Sequence, residues 1–420
     1  MIKDIITRIS KNKVNIYIAI YIFGIILLSR NTMISSVILG FKTSFFISIV
    51  LLIPITLIFF KKVRKNHLDM KKTIIMGTFV STLLLSIVMK RDWQLYNVSV
   101  IYYIISGIML ATIIKFQTFK KIYINIFFAL AIFSIVTTYV FKPILIESNV
   151  QEQMEKVGLI VNNSSEYKFL NLGLGFALFQ KNYIRNYGIF TEPNFYQFYI
   201  IIAMIMILFC NTEKLRGIEY VKLAVFIATL ISTFSSAAFI GLVLIAITKL
   251  IDIIIRKKDD KRKVMLILVC ILILCIVLAN LECVRKIIYE TYKKITTINE
   301  SSESRFGSLK FTVEKIIESP LIGNDIAYIM GYENFLTNTT FSFAAIYGVI
   351  QLLYITYFSY KFVEANEIKQ GWLKFIVLCI VVVSYNSHAY IGVQSFWMIL
   401  LVTFNLIREE KRNEKNFVDS

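Results

Sequence analysis

The sequence predicts an all-α polytopic integral membrane protein, and three observations carry that prediction. Apolar runs of roughly 16–20 residues, rich in Ile and Phe, recur along the chain and match the helix of about 20 residues that a bilayer core takes. Short basic clusters separate them, such as Lys61-Lys62-Val63-Arg64-Lys65 and Arg256-Lys257-Lys258. The 420 residues are 57% hydrophobic and only 17% charged, with a mean hydropathy of +0.68. A soluble chain of this length has no way to bury so many apolar helices.

The spans follow in order. The first apolar run, Val14–Leu28, has no small-residue cleavage site after it and reads as a span, not a removable leader. Ser44–Phe60 is closed by the basic loop Lys61–Lys72. Thr73–Met89, Val98–Ile114 and Ile122–Phe141 come next, each parted from its neighbour by a short charged hinge. Beyond a long polar gap lie Phe195–Cys210, Ile218–Phe234 and Ala237–Ile255, with Ser235-Ser236 as a tight turn between the last two. Val264–Ala279 stands alone after the hinge Arg256–Lys263. Phe341–Tyr360, Trp372–Asn386 and Tyr390–Ile407 complete about twelve spans, with Asn386-Ser387-His388 as a second tight turn.

An even number of spans puts both termini on one side. More of the 46 Lys and Arg fall on that side, above all in Lys61–Lys72 and Arg256–Lys263. Both termini are therefore expected in the cytoplasm of a bacterial cell membrane. The formal net charge of +19 has the same origin, so no nucleic-acid partner is expected. The five cysteines lie mostly inside apolar runs without metal spacing, and no structural disulfide is expected.

Two connections on the outer side are far longer than the rest, residues 142–194 and 281–340. Transporters place their chemistry on intramembrane charges and broken helices. This chain has almost no ionisable residues in its span centres, no inverted repeat and no evident broken-helix pair, so its chemistry is expected in the outer loops. In the second loop Leu281, Val284, Ile288, Tyr292 and Ile295 fall at helical spacing and predict an interfacial amphipathic helix. A further short helix is expected from Arg305 to Glu318, with Ser304 at its start and Pro320 after its end.

The first loop ends in a dense polar and aromatic stretch that includes Arg185, Tyr187, Gly188, Glu192, Pro193 and Asn194. Pro193 suits a helix entry, and Gly188 permits a tight backbone path. Arg185 offers a planar, permanently charged fork suited to a diphosphate. The plainer account of Arg185 is an interfacial anchor. Glu192 is suited to accept a proton or orient a sugar hydroxyl.

Arg185-x-x-Gly188 running into Glu192-Pro193-Asn194 resembles the outer-loop signature of the O-antigen polymerase and ligase superfamily. Three later segments resemble that family in the same order. They are Leu230 to Ala237, Ser304-Arg305 with Ser319-Pro320-Leu321-Ile322-Gly323-Asn324-Asp325, and Phe343 to Leu353 with Gly348. The resemblance covers about residues 170 to 360 and implies a GT-C-like membrane glycosyltransferase. Its donor would be a glycan on undecaprenyl diphosphate, joined to a hydroxyl of an acceptor glycan on the outer membrane face in capsule, O-antigen or exopolysaccharide synthesis. By matched position, Arg185 and Arg305 would hold the diphosphate, and Glu192 and Asn194 would face the sugar. Tyr187, Gly188, Asn194, Asn324 and Asp325 would line the substrate. A chain-length regulator and a flippase of the same pathway are the implied partners.

No outer loop carries Asp-x-Asp, so metal-independent transfer without a cofactor is expected, with two guanidinium groups stabilising the leaving diphosphate. One departure bears on the reaction. Ligase-type members carry a His-Asn pair eleven residues before the glycine of the next span, and this chain has Thr337-Asn338 there. Behind Glu192 as base stand Asp325 and His388, although His388 reads more simply as a turn residue without chemistry. A ligase and a lipid-linked oligosaccharide flippase are the rival readings; a non-catalytic scaffold would leave both arginines idle.

Overall fold

The computed structural model describes residues 2–141, 160–163, 167–170, 176–179, 185–209, 215–256, 300–331, 338–368 and 370–408. The span expected at Val264–Ala279 and the interfacial helix expected from Leu281 lie outside the described residues.

Helices α1 (Ile2–Leu28), α2 (Phe41–Lys65), α3 (Met70–Lys90), α4 (Leu95–Ile113) and α5 (Phe116–Val136) form the first half, and α5 runs on as a π turn to Phe141. After the first long loop come α6 (Pro193–Leu208), α7 (Gly217–Ser232) and α8 (Ser236–Arg256). The second long loop contributes α9 (Glu300–Glu318) and α10 (Ile326–Gly331), followed by α11 (Thr339–Tyr347), α12 (Ile350–Glu364), α13 (Gly371–Tyr385) and α14 (Gln394–Leu401). Among the described residues, four helices are long and apolar enough to cross a bilayer: α2, α3, α4, and α5 with its extension.

The surface of α2 shows what surrounds it. Phe46, Val50, Ile53, Leu57 and Phe60 recur every three or four residues and are each more than half exposed. The opposite face buries Phe45, Leu52 and Ile55. A helix that is apolar both inward and outward belongs in lipid. The protein is thus a helical, membrane-embedded chain.

At the centre stands α6, buried at every residue from Phe195 to Ile207 and packed by α5, α7, α8 and α13. Its Tyr199 ring lies parallel to Phe127 at 5.3 Å and to Phe190 at 4.9 Å. The hydroxyl of Tyr199 contacts Ser395 at 2.5 Å and accepts from Asn31 Nδ2 at 3.2 Å. In a helix without water, such side-chain bonds stitch α1, α6 and α14 together.

The loops sort to two ends. At the end that carries Arg185, the upper end, Met33 N–H donates to Ile189 O, Thr191 N–H to Asn31 O and Asn186 N–H to Ser232 O. There too Lys90 Nζ donates to Asn324 O at 3.0 Å. At the lower end Asp69 N–H donates to Leu406 O and Arg408 N–H to His67 O. Lys62 Nζ caps the carbonyls of Thr112 and Ile113 at 2.8 and 3.0 Å. The described ends of the two long loops, Arg185 to Glu192 and Ser319 to Gly331, therefore lie at the upper end, away from the basic Lys61–Lys72 loop.

Three details depart from the sequence reading. The first loop carries β1 (Ile160–Asn163), β2 (Tyr167–Leu170) and β3 (Phe176–Phe179), an antiparallel sheet in that order, where the all-α reading expected only short amphipathic helices in both long loops. Its short aromatic and β-branched runs, parted by the turn-forming Asn163-Ser164-Ser165, are too brief for helices. The helix of the second loop starts at Glu300, ahead of Ser304, and ends before Pro320 as expected. The span expected as one helix from Phe341 to Tyr360 breaks at Gly348, where φ is +94°. The breaks expected at Ser235 and at Asn386 to His388 are present.

Candidate functional site

The site grows from the junction between the first loop and α6. Asn186 is fully buried; its Nδ2 donates to Ser134 Oγ and Ser232 Oγ, both at 3.0 Å, and its Oδ1 accepts the N–H of Gly188 at 2.9 Å. Gly188 has φ +55°, and a Cβ there would lie 2.9 Å from the Tyr196 ring. Only glycine lets the chain fold over that ring and enter α6. Tyr187 beside it is buried. Glu192 then takes the extended conformation just before α6, and Pro193 opens the helix.

The Glu192 side chain does not cap the helix. Its Oε2 meets Nε2 of His388 at 3.1 Å. His388 Nδ1 accepts the Ala389 N–H at 2.8 Å, so the neutral ring carries its proton on Nε2 and donates it to Glu192. The imidazole lies against Phe195 with ring centroids 4.0 Å apart. The carboxylate is 46% exposed and the imidazole 25%, so the pair is held in place yet open from above.

Around the pair runs a connected polar rim. Asn194 Oδ1 accepts from Ser235 Oγ at 2.7 Å, and Ser235 Oγ lies 3.4 Å from Gln197 Oε1. Gln197 Nε2 donates to Ser387 Oγ at 3.0 Å, next to His388. Arg185 joins the same rim: its Nε donates to Thr233 O at 3.1 Å and one terminal nitrogen to Phe234 O at 2.7 Å. These carbonyls sit on the tight α7–α8 turn, where Phe234 adopts φ +47°. A non-glycine residue in the left-handed region is strained and persists only when its surroundings over-determine it, as the Arg185 clamp does. The other terminal nitrogen of Arg185 makes no hydrogen bond among the described residues.

The second loop behaves differently. Arg305 lies in α9, and its side chain is outside the described residues. Asn324 Nδ2 donates to Lys315 O at 2.8 Å and to Ala345 O at 3.0 Å, tying the turn to α9 and α11. Asp325 is exposed and accepts the Ala327 N–H at 2.7 Å, starting α10. Gly323 and Gly348, both at positive φ, let the turn and the broken helix meet backbone to backbone, and a Cβ on either would fall 2.1–2.2 Å from a carbonyl oxygen. Val349 N–H donates to Pro320 O at 2.7 Å. The break at Gly348 is thus filled by loop backbone. Lys315 bridges Glu318 and Tyr328, and the bond to the Glu318 carboxylate, then that to Tyr328, pushes its ammonium pKa up.

The structure brings Arg185, Gly188, Glu192 and Asn194 to one junction, and Asn324 and Asp325 to a neighbouring turn at the same end. It adds His388, Ser235, Gln197 and Ser387. His388 lies 196 residues from Glu192, and the only sequence signal joining them was that both fall in outer turns. No family model, no curated protein and no solved structure matches this chain.

Proposed function

We propose that this chain is a polysaccharide polymerase, a membrane glycosyltransferase that joins lipid diphosphate-linked repeat units at its upper end, facing the outside of the cytoplasmic membrane. The observation that carries this reading is the half-exposed Glu192–His388 pair on the same polar rim as Arg185. Group transfer from a sugar diphosphate needs an anion stabiliser and a proton acceptor. The acceptor hydroxyl oxygen bonds to the anomeric carbon of the donor while the carbon–oxygen bond to the diphosphate breaks. The Glu192 carboxylate, oriented by His388 Nε2–H, takes the hydroxyl proton. The diphosphate departs with the bonding electron pair, facing the guanidinium of Arg185, with Arg305 as the second cation that the resemblance assigns.

The resemblance of Arg185 to Asn194 and of Ser304 to Asp325 to the O-antigen polymerase and ligase superfamily points the same way. Where ligase-type members carry a His-Asn pair, Asn338 caps α11 by accepting from Phe341 N–H, and Thr339 Oγ1 donates to His388 O at 2.5 Å. The α13–α14 turn that carries His388 is thereby bonded to the start of α11. The twelve-span layout with both termini in the cytoplasm belongs to the same reading, supported by the described ends of the two long loops lying at one end and the basic Lys61–Lys72 loop at the other.

The test is turnover of a defined lipid-linked repeat unit by purified protein in nanodiscs, read by product length. The polymerase reading expects chains longer than one unit, lost in Glu192→Gln and in Arg185→Lys. Transfer of single units to a foreign acceptor would mark a ligase. Translocation without any lengthening would mark a flippase and end the reading.

A further inference from the structure

Arg30 stands out at the upper end. It is exposed within a run of buried residues, Ser29 and Asn31 to Ile34. Its guanidinium carbon lies 5.3 Å from the centroids of two rings, Phe41 at the start of α2 and Tyr96 in the first turn of α4. No hydrogen bond or ion pair to its five N–H donors is found among the described residues. Rings on two helices fix where the charge sits and leave its hydrogen-bonding capacity unused.

Two connections tie Arg30 to the Glu192–His388 pair. Asn31 O accepts both the N–H of Thr191, at 3.0 Å, and its hydroxyl, at 3.3 Å, one residue before Glu192. On the other side, the Tyr96 ring under Arg30 packs on Gly392, in the turn that carries His388; a Cβ at Gly392 would lie 2.7 Å from it. Arg30 is thereby held on the same ring of upper-end turns as the pair. An arginine that merely anchors a helix end reaches outward to lipid headgroups. This one is pinned across three elements by contacts that leave its planar fork open.

We propose that Arg30 is a phosphate-binding residue of this site, giving a bidentate contact to the diphosphate of a prenyl-linked donor. The proposal rests on the glycosyltransferase reading, and it adds a third guanidinium on the first outer turn. Arg185 is partly occupied by the Thr233 and Phe234 carbonyls, whereas Arg30 has its whole fork available. A diphosphate offers oxygens for more than one such fork.

The experiment measures binding of farnesyl diphosphate, a water-soluble prenyl diphosphate, and of phosphatidylglycerol in mixed micelles to the full-length purified protein. The variants are Arg30→Gln, Arg30→Lys and Phe41→Leu. Arg30→Gln should weaken farnesyl diphosphate binding by about tenfold or more and leave phosphatidylglycerol binding and thermal unfolding unchanged. Arg30→Lys should restore little of it, because a point charge does not reproduce the fork. Phe41→Leu keeps the charge, removes one ring, and should give an intermediate loss. Equal diphosphate binding by wild type and Arg30→Gln overturns the proposal and leaves the glycosyltransferase reading standing. No diphosphate binding by wild type overturns both. Loss of phosphatidylglycerol binding in Arg30→Gln makes Arg30 a lipid anchor and overturns the proposal.

Discussion

The two loop junctions at the upper end use their polar residues in different ways. At the α6 junction three pairs join side chain to side chain, Glu192 with His388, Asn194 with Ser235 and Gln197 with Ser387, and Arg185 ends on the Thr233 and Phe234 carbonyls. At the Ser319–Asp325 turn, side chains end on backbone. Asn324 binds the carbonyls of Lys315 and Ala345, Ser319 Oγ that of Gly323, and Lys90 that of Asn324. Backbone partners use up the donors of a side chain and hold a loop still. Side-chain partners leave lone pairs and protons that chemistry can draw on. The first junction carries the proposed chemistry, and the second holds its own turn in place.

That contrast can be broken by experiment, beginning with the largest effect. Glu192→Gln keeps the shape of the pair but removes the charge, and should lower kcat by about 10²–10⁴-fold with little change in thermal unfolding. Wild-type turnover in this variant would remove Glu192 from the chemistry. Gly348→Ala attacks the second junction: its Cβ would fall 2.1 Å from Leu321 O at φ +94°. It should cost about 2–4 kcal/mol of stability and depress the yield of monodisperse protein. Gly77→Ala, in the interior of α3 with nothing within 4 Å, is the control and should gain about 0.5–1 kcal/mol. Were both alanines equally tolerated in thermal melts, the backbone-to-backbone contact would not be what closes the turn.

Asn324→Ala sharpens the comparison further. It removes the side-chain bonds to Lys315 and Ala345 and should destabilise by about 1–3 kcal/mol, with kcat per folded molecule held. A selective loss of kcat would move Asn324 from the turn to the substrate. The smallest effect concerns Lys315. Its ammonium pKa is raised by Glu318, so its contribution is complete below the ordinary lysine value of about 10.4 and fades only as pH climbs past the raised one. Limited proteolysis of the 300–331 segment should therefore be level from neutral pH up to that range and accelerate above it. Acceleration already near neutral pH would show that another group holds the segment.

Much of this was legible in the sequence because its signals are local. The helix entry at Pro193, the tight turn at Gly188 and the stop at Pro320 each follow from one residue and its backbone preference. Apolar runs and basic hinges locate the helices that a bilayer demands. The helix break inside Phe341–Tyr360 was not legible, since Gly348 in an apolar run looks like any helix glycine until a carbonyl arrives from Leu321. His388 was read first as a simple turn residue and only behind Glu192 as a base, because nothing near it in the chain marks a site.

The chain by itself decided that it would be a helical membrane protein. It did so because solvation by lipid acts on every residue wherever its neighbours are. Which polar residues face each other was settled only by packing. The buried helix α6 sets the height of Glu192, the α13–α14 turn brings His388 within 3.1 Å, and the Thr233 and Phe234 carbonyls aim Arg185. Contacts spanning 48 to 196 residues depend on how whole helices stack, and no local pattern encodes that.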